Sequence, residues 1–145
     1  MTFFTECDKD TESVGATLAA ALERDGVRRA FIAMRGEMGV GKTAFTRGFA
    51  SHFDIGGVKS PTYTVVNEYA GKCRIFHFDM YRITDYDDLY SIGYDDYVER
   101  DGYCIAEWSE NIEDALPEDA IFVTISRTER ECGRRIDISY DNVSL

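Results

Sequence analysis

Residues 36–43 read Gly36-Glu37-Met38-Gly39-Val40-Gly41-Lys42-Thr43 and satisfy the pattern G-x-x-x-x-G-K-[ST]. In a phosphate-binding loop, this pattern joins the end of a buried strand to the start of a helix. The apolar run Ala30–Met34 precedes the loop and is typical of a strand buried on both faces. After the loop, Phe45, Phe49 and Phe53 recur every fourth residue, which predicts one buried helical face. The loop is therefore predicted to lie between a strand and a helix.

Each residue type in this loop has a reason to be there. Glycines let the backbone curl until successive N–H groups point at phosphate oxygens, and the helix N-terminus adds partial positive charge. Lys42 supplies a mobile cation for the β- and γ-phosphates, while the Thr43 hydroxyl is placed to ligate a magnesium ion that bridges them. An ordinary glycine-rich turn would explain neither residue. The motif thus predicts binding of ATP and Mg²⁺ by residues 36–43 and the following Ala44.

Two acidic residues are candidates for the chemistry. Phosphoryl transfer needs carboxylates near the metal and the attacking water, usually at the end of a strand beside the phosphate loop. Asp79 and Glu107 fit because they end the mostly apolar runs Ile75–Phe78 and Cys104–Ala106. The sequence does not rank them, and a solvated strand terminus explains either one equally well. His77 lies between two phenylalanines, so it is predicted to point to the opposite face of the sheet and is given no role.

The remaining periodicities predict a mixed sheet. Val14, Leu18 and Leu22 recur every fourth residue and predict an amphipathic first helix that ends near Gly26. Short β-branched, aromatic or alternating segments predict strands at 64–69, 74–78, 103–106, 121–125 and 136–140, the first two joined as a hairpin. The fold class predicted from these patterns is α/β, a three-layer P-loop NTPase-like fold with a mixed parallel/antiparallel central sheet.

Length and composition favour one domain over residues 1–145, since 145 residues with 44% hydrophobic content can build one ordinary core. The sequence has neither a long apolar run nor the features of a signal peptide, so a cytoplasmic protein without a membrane role is expected. Four widely spaced cysteines without a C-x-x-C pair predict reduced thiols. The net charge of −11 favours solubility, and it opposes direct attraction to a nucleic-acid backbone, so contact with tRNA is expected only through a partner.

An acidic, tyrosine-rich segment lies between Tyr81 and Tyr103. Four of its tyrosines have near-helical spacing: Tyr86, Tyr90, Tyr94 and Tyr97. Tyrosines beside carboxylates serve equally as the half-buried seam of a helix and as anchors of an interface. The segment is therefore either a solvated helix or a docking face.

Several segments together resemble the bacterial TsaE (YjeE) ATPases, which support threonylcarbamoyl modification of the tRNA adenosine next to the anticodon. Besides the phosphate loop, the resemblance lies in residues 60–69 (SPTYTVVNEY), 77–82 (HFDMYR) and 105–108 (IAEW), which occur in the family's order. These strings are longer and more specific than a phosphate loop alone, and the match spans nearly the whole chain.

The resemblance implies roles for particular residues. Thr43 and Glu107 would hold magnesium, Asp79 would be needed for hydrolysis, and Trp108 would lie close to the nucleotide. With Lys42, the two carboxylates form the expected catalytic set.

The resemblance also implies partners and a wider nucleotide pocket. Thr11 and Arg134 match weaker family positions and are implied to line the pocket. Family members act with TsaD and TsaB, which form the modifying enzyme and handle the tRNA, while ATP hydrolysis resets that complex. The expected activity is thus a Mg²⁺-dependent ATPase that is slow alone and depends on its partners.

Two other functions stay open at this point. A small-molecule kinase would need an acceptor pocket and usually a basic lid, whereas residues 81–103 are acidic. A nucleotide-binding scaffold without turnover would have the same phosphate loop. A GTPase is less favoured, because the sequence contains no N-K-x-D string for reading guanine.

Overall fold

The computed structural model describes residues 1–37, 39–59 and 66–140. Its helices and strands follow one another in this order: β1 (Thr2–Thr5), α1 (Asp8–Arg24), β2 (Arg29–Arg35), α2 (Lys42–His52), β3 (Val66–Ala70), β4 (Arg74–Asp79), α3 (Tyr86–Ser91), α4 (Tyr94–Glu99), β5 (Gly102–Glu107), a 3₁₀ helix (Ser109–Ala115), β6 (Ile121–Arg127) and β7 (Arg134–Ile138).

The described strands form one mixed sheet in the order β1-β7-β6-β2-β5-β4-β3. The four central strands are parallel to one another, in the order β6, β2, β5 and β4. The outer pairs β1/β7, β6/β7 and β3/β4 are antiparallel. Covered on both faces, β5 is buried along its whole length, which explains why the sequence of a central strand reads as an apolar run rather than an alternation. The predicted mixed α/β sheet is confirmed.

Helices cover both faces of the sheet, so the fold has three layers. Leu18, Leu22, Phe45 and Phe49 from α1 and α2 belong to one buried apolar cluster with inward residues of the strands. A second cluster lies on the other face, where Leu89 of α3, Tyr94 of α4 and Ile112 of the 3₁₀ helix join alternate residues of the same strands, among them Phe76 and Phe78.

Helices α1 and α2 cross with their backbones in contact, and two glycines allow this approach. A Cβ atom on Gly15 would lie 2.1 Å from the carbonyl oxygen of Phe45, and one on Gly48 would lie 1.9 Å from that of Glu12. Real Cβ atoms do not approach backbone oxygens so closely. The crossing therefore fixes the position of α2, the helix that begins at the phosphate loop.

Several boundaries differ from the sequence prediction. Helix α1 ends at Arg24, two residues before the predicted glycine, and β1 and the 3₁₀ helix were not predicted. The predicted hairpin is present in β3 and β4, while positions 64 and 65 of its first strand lie outside the described residues.

The acidic segment forms two short helices, α3 and α4, which confirms helical structure there. Tyr94 is buried in the core, whereas Tyr86 and Tyr90 are exposed. The docking alternative for these exposed rings stays a prediction. Within the described ranges, no helix is both long and apolar enough to cross a membrane.

Candidate nucleotide-binding site

The phosphate loop connects β2 to α2, as the sequence predicts, and its glycines have conformations that other residues rarely adopt. Gly36 has a φ of +144°, and a Cβ atom there would lie 2.5 Å from the Ile125 carbonyl oxygen. Gly41 has a φ of +109° and is the N-cap of α2. Both positions require glycine. Met38, predicted to be part of the loop, lies outside the described residues.

Lys42 is the first residue of α2 and is buried within the loop. Its Nζ atom donates a hydrogen bond to the Gly36 carbonyl oxygen at 2.8 Å. The same atom lies 4.3 Å from the centre of the Trp108 ring, a cation–π distance. Trp108 has a φ of 59°, in the left-handed region that is unusual for a residue with a side chain. Its ring contacts Tyr81 edge to face, with centroids 5.1 Å apart.

Arg134 and Thr11 support the loop from outside. Arg134 donates from Nε to the Val40 carbonyl oxygen at 2.9 Å. The Thr11 methyl group would be 3.7 Å from a Cβ atom on Gly41, and its hydroxyl is hydrogen-bonded to that of Thr5 at 3.0 Å. Neither residue lines the cavity at the loop, and both instead lie against the loop backbone, at Val40 and Gly41. Their predicted contact with nucleotide stays a prediction.

The two candidate carboxylates lie side by side. Asp79 and Glu107 are partners in the parallel register of β4 and β5, because both strands end at the same edge of the sheet. Asp79 Oδ1 accepts a hydrogen bond from the Tyr81 backbone N–H at 2.9 Å. The chain leaving β4 also donates from Met80 N to the Glu107 carbonyl oxygen at 3.0 Å. The ends of the two strands are thus tied together at the level of the carboxylates.

Most of the predicted site residues line one cavity of about 460 Å³. Its lining consists of Asp8, Gly39, Gly41, Lys42, Thr43, Ala44, Arg47, Asp79, Glu107 and Trp108. Gly36, Glu37 and Val40 are loop residues that do not line it.

Sequence reasoning missed Asp8 and Arg47 in the lining. Arg47 lies four residues after Thr43 on α2, so helical periodicity would have placed it on the same face. No local sequence signal distinguishes Asp8, which reaches the cavity only because α1 begins beside the loop.

His77 is the other residue that the sequence analysis left without a role. Its side chain is fully buried, and its Nε2 atom lies 2.6 Å from Glu107 Oε2. The sequence predicts that His77 points away from the face occupied by its two neighbouring phenylalanines. The contact with Glu107 agrees with this, because Phe76 and Phe78 belong to the second apolar cluster on the other face. Since His77 precedes Asp79 by two residues on the same strand, period-two alternation would have placed both on one face. His77 therefore lies behind Glu107 and contacts its carboxylate without lining the cavity.

The donor atoms of the cavity suit magnesium. Thr43 and Glu107 offer a hydroxyl and carboxylate oxygens, the hard ligands that Mg²⁺ takes. No group of three or more His, Cys, Asp or Glu side chains within the described part of the chain could hold a metal ion alone. This sparse set fits Mg²⁺, which usually keeps several waters and is bound by one or two carboxylates together with nucleotide phosphates.

A larger cavity, of about 750 Å³, lies at the other end of the sheet. It contacts the starts of β4 and β5 through Arg74 and Gly102 and is also lined by Arg28 and Lys72. Ligands of open α/β sheets bind outside the carboxyl ends of the strands. The smaller cavity, at the ends of β4 and β5, is therefore the candidate site despite its size.

Comparison with known families agrees with this geometry. The family model described as "Threonylcarbamoyl adenosine biosynthesis protein TsaE" matches residues 5–136. The chain belongs to the TsaE family. The TsaE match includes every predicted site residue, from Thr11 to Arg134, and the family is named for the biosynthesis of threonylcarbamoyladenosine in tRNA.

Individual TsaE proteins are similar over most of the chain. Each of three relatives is named tRNA threonylcarbamoyladenosine biosynthesis protein TsaE. The protein of Bacillus subtilis is 36% identical over 85% of this chain and 77% of its own length. That of Treponema pallidum is 30% identical over 81% of this chain and 84% of its own length. That of Haemophilus influenzae is 47% identical over 63% of this chain, and the match spans only 60% of the relative.

A solved structure supports the fold assignment. The crystal structure of Bacillus subtilis YdiB superposes with a TM-score of 0.74 and 28% sequence identity, covering 94% of this chain and 82% of that chain.

Proposed function

We propose that this TsaE-family protein binds and hydrolyses ATP as a Mg²⁺-dependent subunit in the threonylcarbamoyladenosine modification of tRNA, acting on TsaB and TsaD. The observation that supports it best is the meeting of the phosphate loop, Lys42, Asp79 and Glu107 around one cavity. Membership in the TsaE family supplies the pathway.

The loop and α2 would bind the phosphates. Backbone N–H groups at the start of α2 carry the partial positive charge of a helix N-terminus, which favours an anion. Lys42 is close by, and its Nζ atom contacts the Gly36 carbonyl and the Trp108 ring. Its ammonium group can exchange these contacts for phosphate oxygens. Exposed Arg47 adds a second cation to the cavity wall.

Thr43 and Glu107 would hold Mg²⁺ beside the phosphates. When bound, the ion would neutralise charge that develops on the phosphate oxygens during transfer. Glu107 is nearly buried, which keeps water away from its carboxylate and strengthens its attraction for a cation.

Asp79 would act on the attacking water. Its carboxylate lies at the cavity wall, fixed through Oδ1 by the Tyr81 N–H. Its carboxylate can accept a hydrogen bond from a water molecule and orient that water toward the γ-phosphate. Enzymes that transfer phosphoryl groups commonly use a residue in this way. We assign metal binding to Glu107 and water orientation to Asp79.

The charge of the chain supports indirect contact with tRNA. A net charge of −11 repels a phosphate backbone, so tRNA would be bound by the TsaB–TsaD part of the assembly. A partner that completes the cavity and excludes water from it would also account for slow hydrolysis by the protein alone.

The proposal is tested by measuring ATP turnover and nucleotide affinity of the protein alone and with TsaB and TsaD. We expect Mg²⁺-dependent ATP binding alone, slow hydrolysis, and faster hydrolysis with both partners. Lys42→Ala serves as the matched inactive variant. Nucleotide binding without turnover under either condition would instead support a scaffold, and absence of nucleotide binding would refute the proposal.

A further inference from the structure

His77 and Glu107 form a buried pair that the nucleotide chemistry leaves unexplained. His77 lies in β4, which is paired on both sides, and its side chain has no exposed surface. Its Nε2 atom is 2.6 Å from Glu107 Oε2. The register places His77 opposite Ile105, two residues before Glu107, so the contact runs diagonally between neighbouring strands.

The contact fixes the tautomer of the ring. An ionised carboxylate only accepts hydrogen bonds, so the shared proton lies on His77 Nε2. The other ring nitrogen, Nδ1, is buried and has no hydrogen-bond partner among the described residues. A neutral ring with its proton on Nε2 avoids placing a second N–H group where nothing accepts it. The imidazole is thus a rigid single donor aimed at one oxygen of Glu107.

We propose that His77 is a positioning residue for magnesium: its Nε2–H holds Glu107 Oε2 and thereby presents Oε1 to the ion. This inference rests on the proposed function. A glutamate side chain has three rotatable bonds, and a buried donor that does not move removes much of that freedom before the metal arrives. Carboxylates that ligate metals are commonly held by such hydrogen bonds, and losing one typically weakens metal affinity or activity by about 10- to 100-fold.

The first test needs neither metal nor nucleotide. The sequence contains two histidines, His52 and His77, so ring ¹⁵N spectra of the folded protein are readily assigned with a His52→Gln variant. We expect His77 to be the Nε2–H tautomer, with a proton that exchanges slowly with water because the side chain is buried. An Nδ1–H tautomer would overturn the proposal.

The second test measures how strongly Mg²⁺ promotes nucleotide binding. Calorimetry gives the ADP affinity in EDTA and in Mg²⁺ for the wild type, His77→Leu and His77→Gln. We expect His77→Leu to leave the ADP affinity in EDTA unchanged. The increase in ADP affinity that Mg²⁺ produces should be about 10-fold or more smaller than in the wild type. His77→Gln should recover much of the gain, because its side-chain amide can also donate to Glu107.

A matched control separates positioning from general destabilisation. Ile75 is buried two residues earlier on the same strand and face, so Ile75→Val weakens the same packing without touching Glu107. It should leave the gain from Mg²⁺ unchanged. Equal gains in the wild type and a folded His77→Leu variant would overturn the proposal, as would failure of His77→Gln to exceed His77→Leu.

Failure of the proposed function has a different signature. In that case the wild type would bind no nucleotide with or without Mg²⁺, while the tautomer measured by NMR would still report the His77–Glu107 bond. If His77→Leu did not fold, two measurements would still test whether His77 positions Glu107: the tautomer of His77, and the comparison of His77→Gln with the wild type. A His77→Gln gain more than about 100-fold below that of the wild type would then count against positioning by a simple hydrogen bond.

Discussion

The ammonium nitrogen of Lys42 lies 4.3 Å from the centre of the Trp108 ring and donates a hydrogen bond to the Gly36 carbonyl oxygen. The cation that the proposed function assigns to the phosphates is therefore already in contact with an indole ring and a backbone oxygen. Phosphate binding at Lys42 has to loosen at least one of these contacts. Under the proposed function, Trp108 should therefore respond when the loop binds nucleotide.

We predict that nucleotide binding changes the fluorescence of Trp108, the only tryptophan of the chain. Titration with ADP and with a non-hydrolysable ATP analogue should give a saturable change in emission, because the charge beside the indole moves. Lys42→Ala should lower affinity and alter the starting spectrum. Unchanged emission at nucleotide concentrations that saturate binding by calorimetry would contradict this role of the Lys42–Trp108 contact.

We predict that Asp79→Asn reduces turnover and spares binding. Asparagine keeps the shape and can still accept from the Tyr81 N–H, but it is a poor acceptor for the attacking water. General acid–base contributions suggest a fall in kcat of about 10²- to 10⁴-fold. Single-turnover hydrolysis and calorimetry measure the two effects separately. Asp87→Asn, on an exposed site of α3, is the control and should leave both unchanged.

We predict that Gly48→Ala destabilises the fold. In an exposed helix the change would add about 1 kcal/mol of stability through helix propensity. Here the new Cβ atom would lie 1.9 Å from the Glu12 carbonyl oxygen, so α1 and α2 must separate, at a cost of about 1–3 kcal/mol or more. Denaturant unfolding measures the change. Gly56→Ala, where nothing lies within 4 Å, should stay within about 0.5 kcal/mol of the wild type.

We predict that the four cysteines divide into two fast and two slow thiols in the folded protein. Cys7 and Cys132 are exposed. Burial raises the pKa of Cys104 to about 12, and burial together with Glu23 raises that of Cys73 to about 11.

Because the thiolate is the reactive form, the two slow thiols should have a small reactive fraction at pH 8, and their rates should rise about tenfold per pH unit below their pKa values. Timed alkylation with peptide mass spectrometry checks the order. A Cys104 that reacts as fast as Cys132 in folded protein would contradict it.

We predict that Arg134→Ala weakens nucleotide binding although Arg134 does not line the cavity. Its hydrogen bond to the Val40 carbonyl oxygen holds the loop from behind, and losing it should lower affinity by about 10-fold. Calorimetry with ADP measures the effect. Arg135→Ala is the matched control, because Arg135 is exposed on the same strand and pairs with Asp137 instead. Equal losses in both variants would indicate a general effect of charge.

The phosphate loop could be predicted in detail because its signals are local. The apolar run, the glycines and the spacing of Phe45 and Phe49 lie within one short stretch, and the structure places β2, the loop and α2 there. Asp79 and Glu107 were identified as strand ends, and the parallel register of β4 and β5 makes them neighbours.

Other features depend on contacts that no local pattern reveals. Strand β1 is four residues long, and Thr2–Thr5 becomes a strand because β7 pairs with it from the far end of the sequence. The contact of His77 with Glu107 was missed for a similar reason. Alternation gives the face of its side chain, but the bond to Glu107 depends on the order of the strands, which the sequence pattern did not supply.

The contact between Arg134 and Val40 joins residues 94 positions apart. During synthesis, the loop is made long before β7, the strand that carries Arg134. Strand β1 likewise can pair only after β7 has been made. A nascent chain still holding β7 inside the ribosome therefore has the complete motif and an unsupported loop. If the proposed nucleotide binding depends on the contact with Arg134, it would arise only after β7 has left the ribosome and paired.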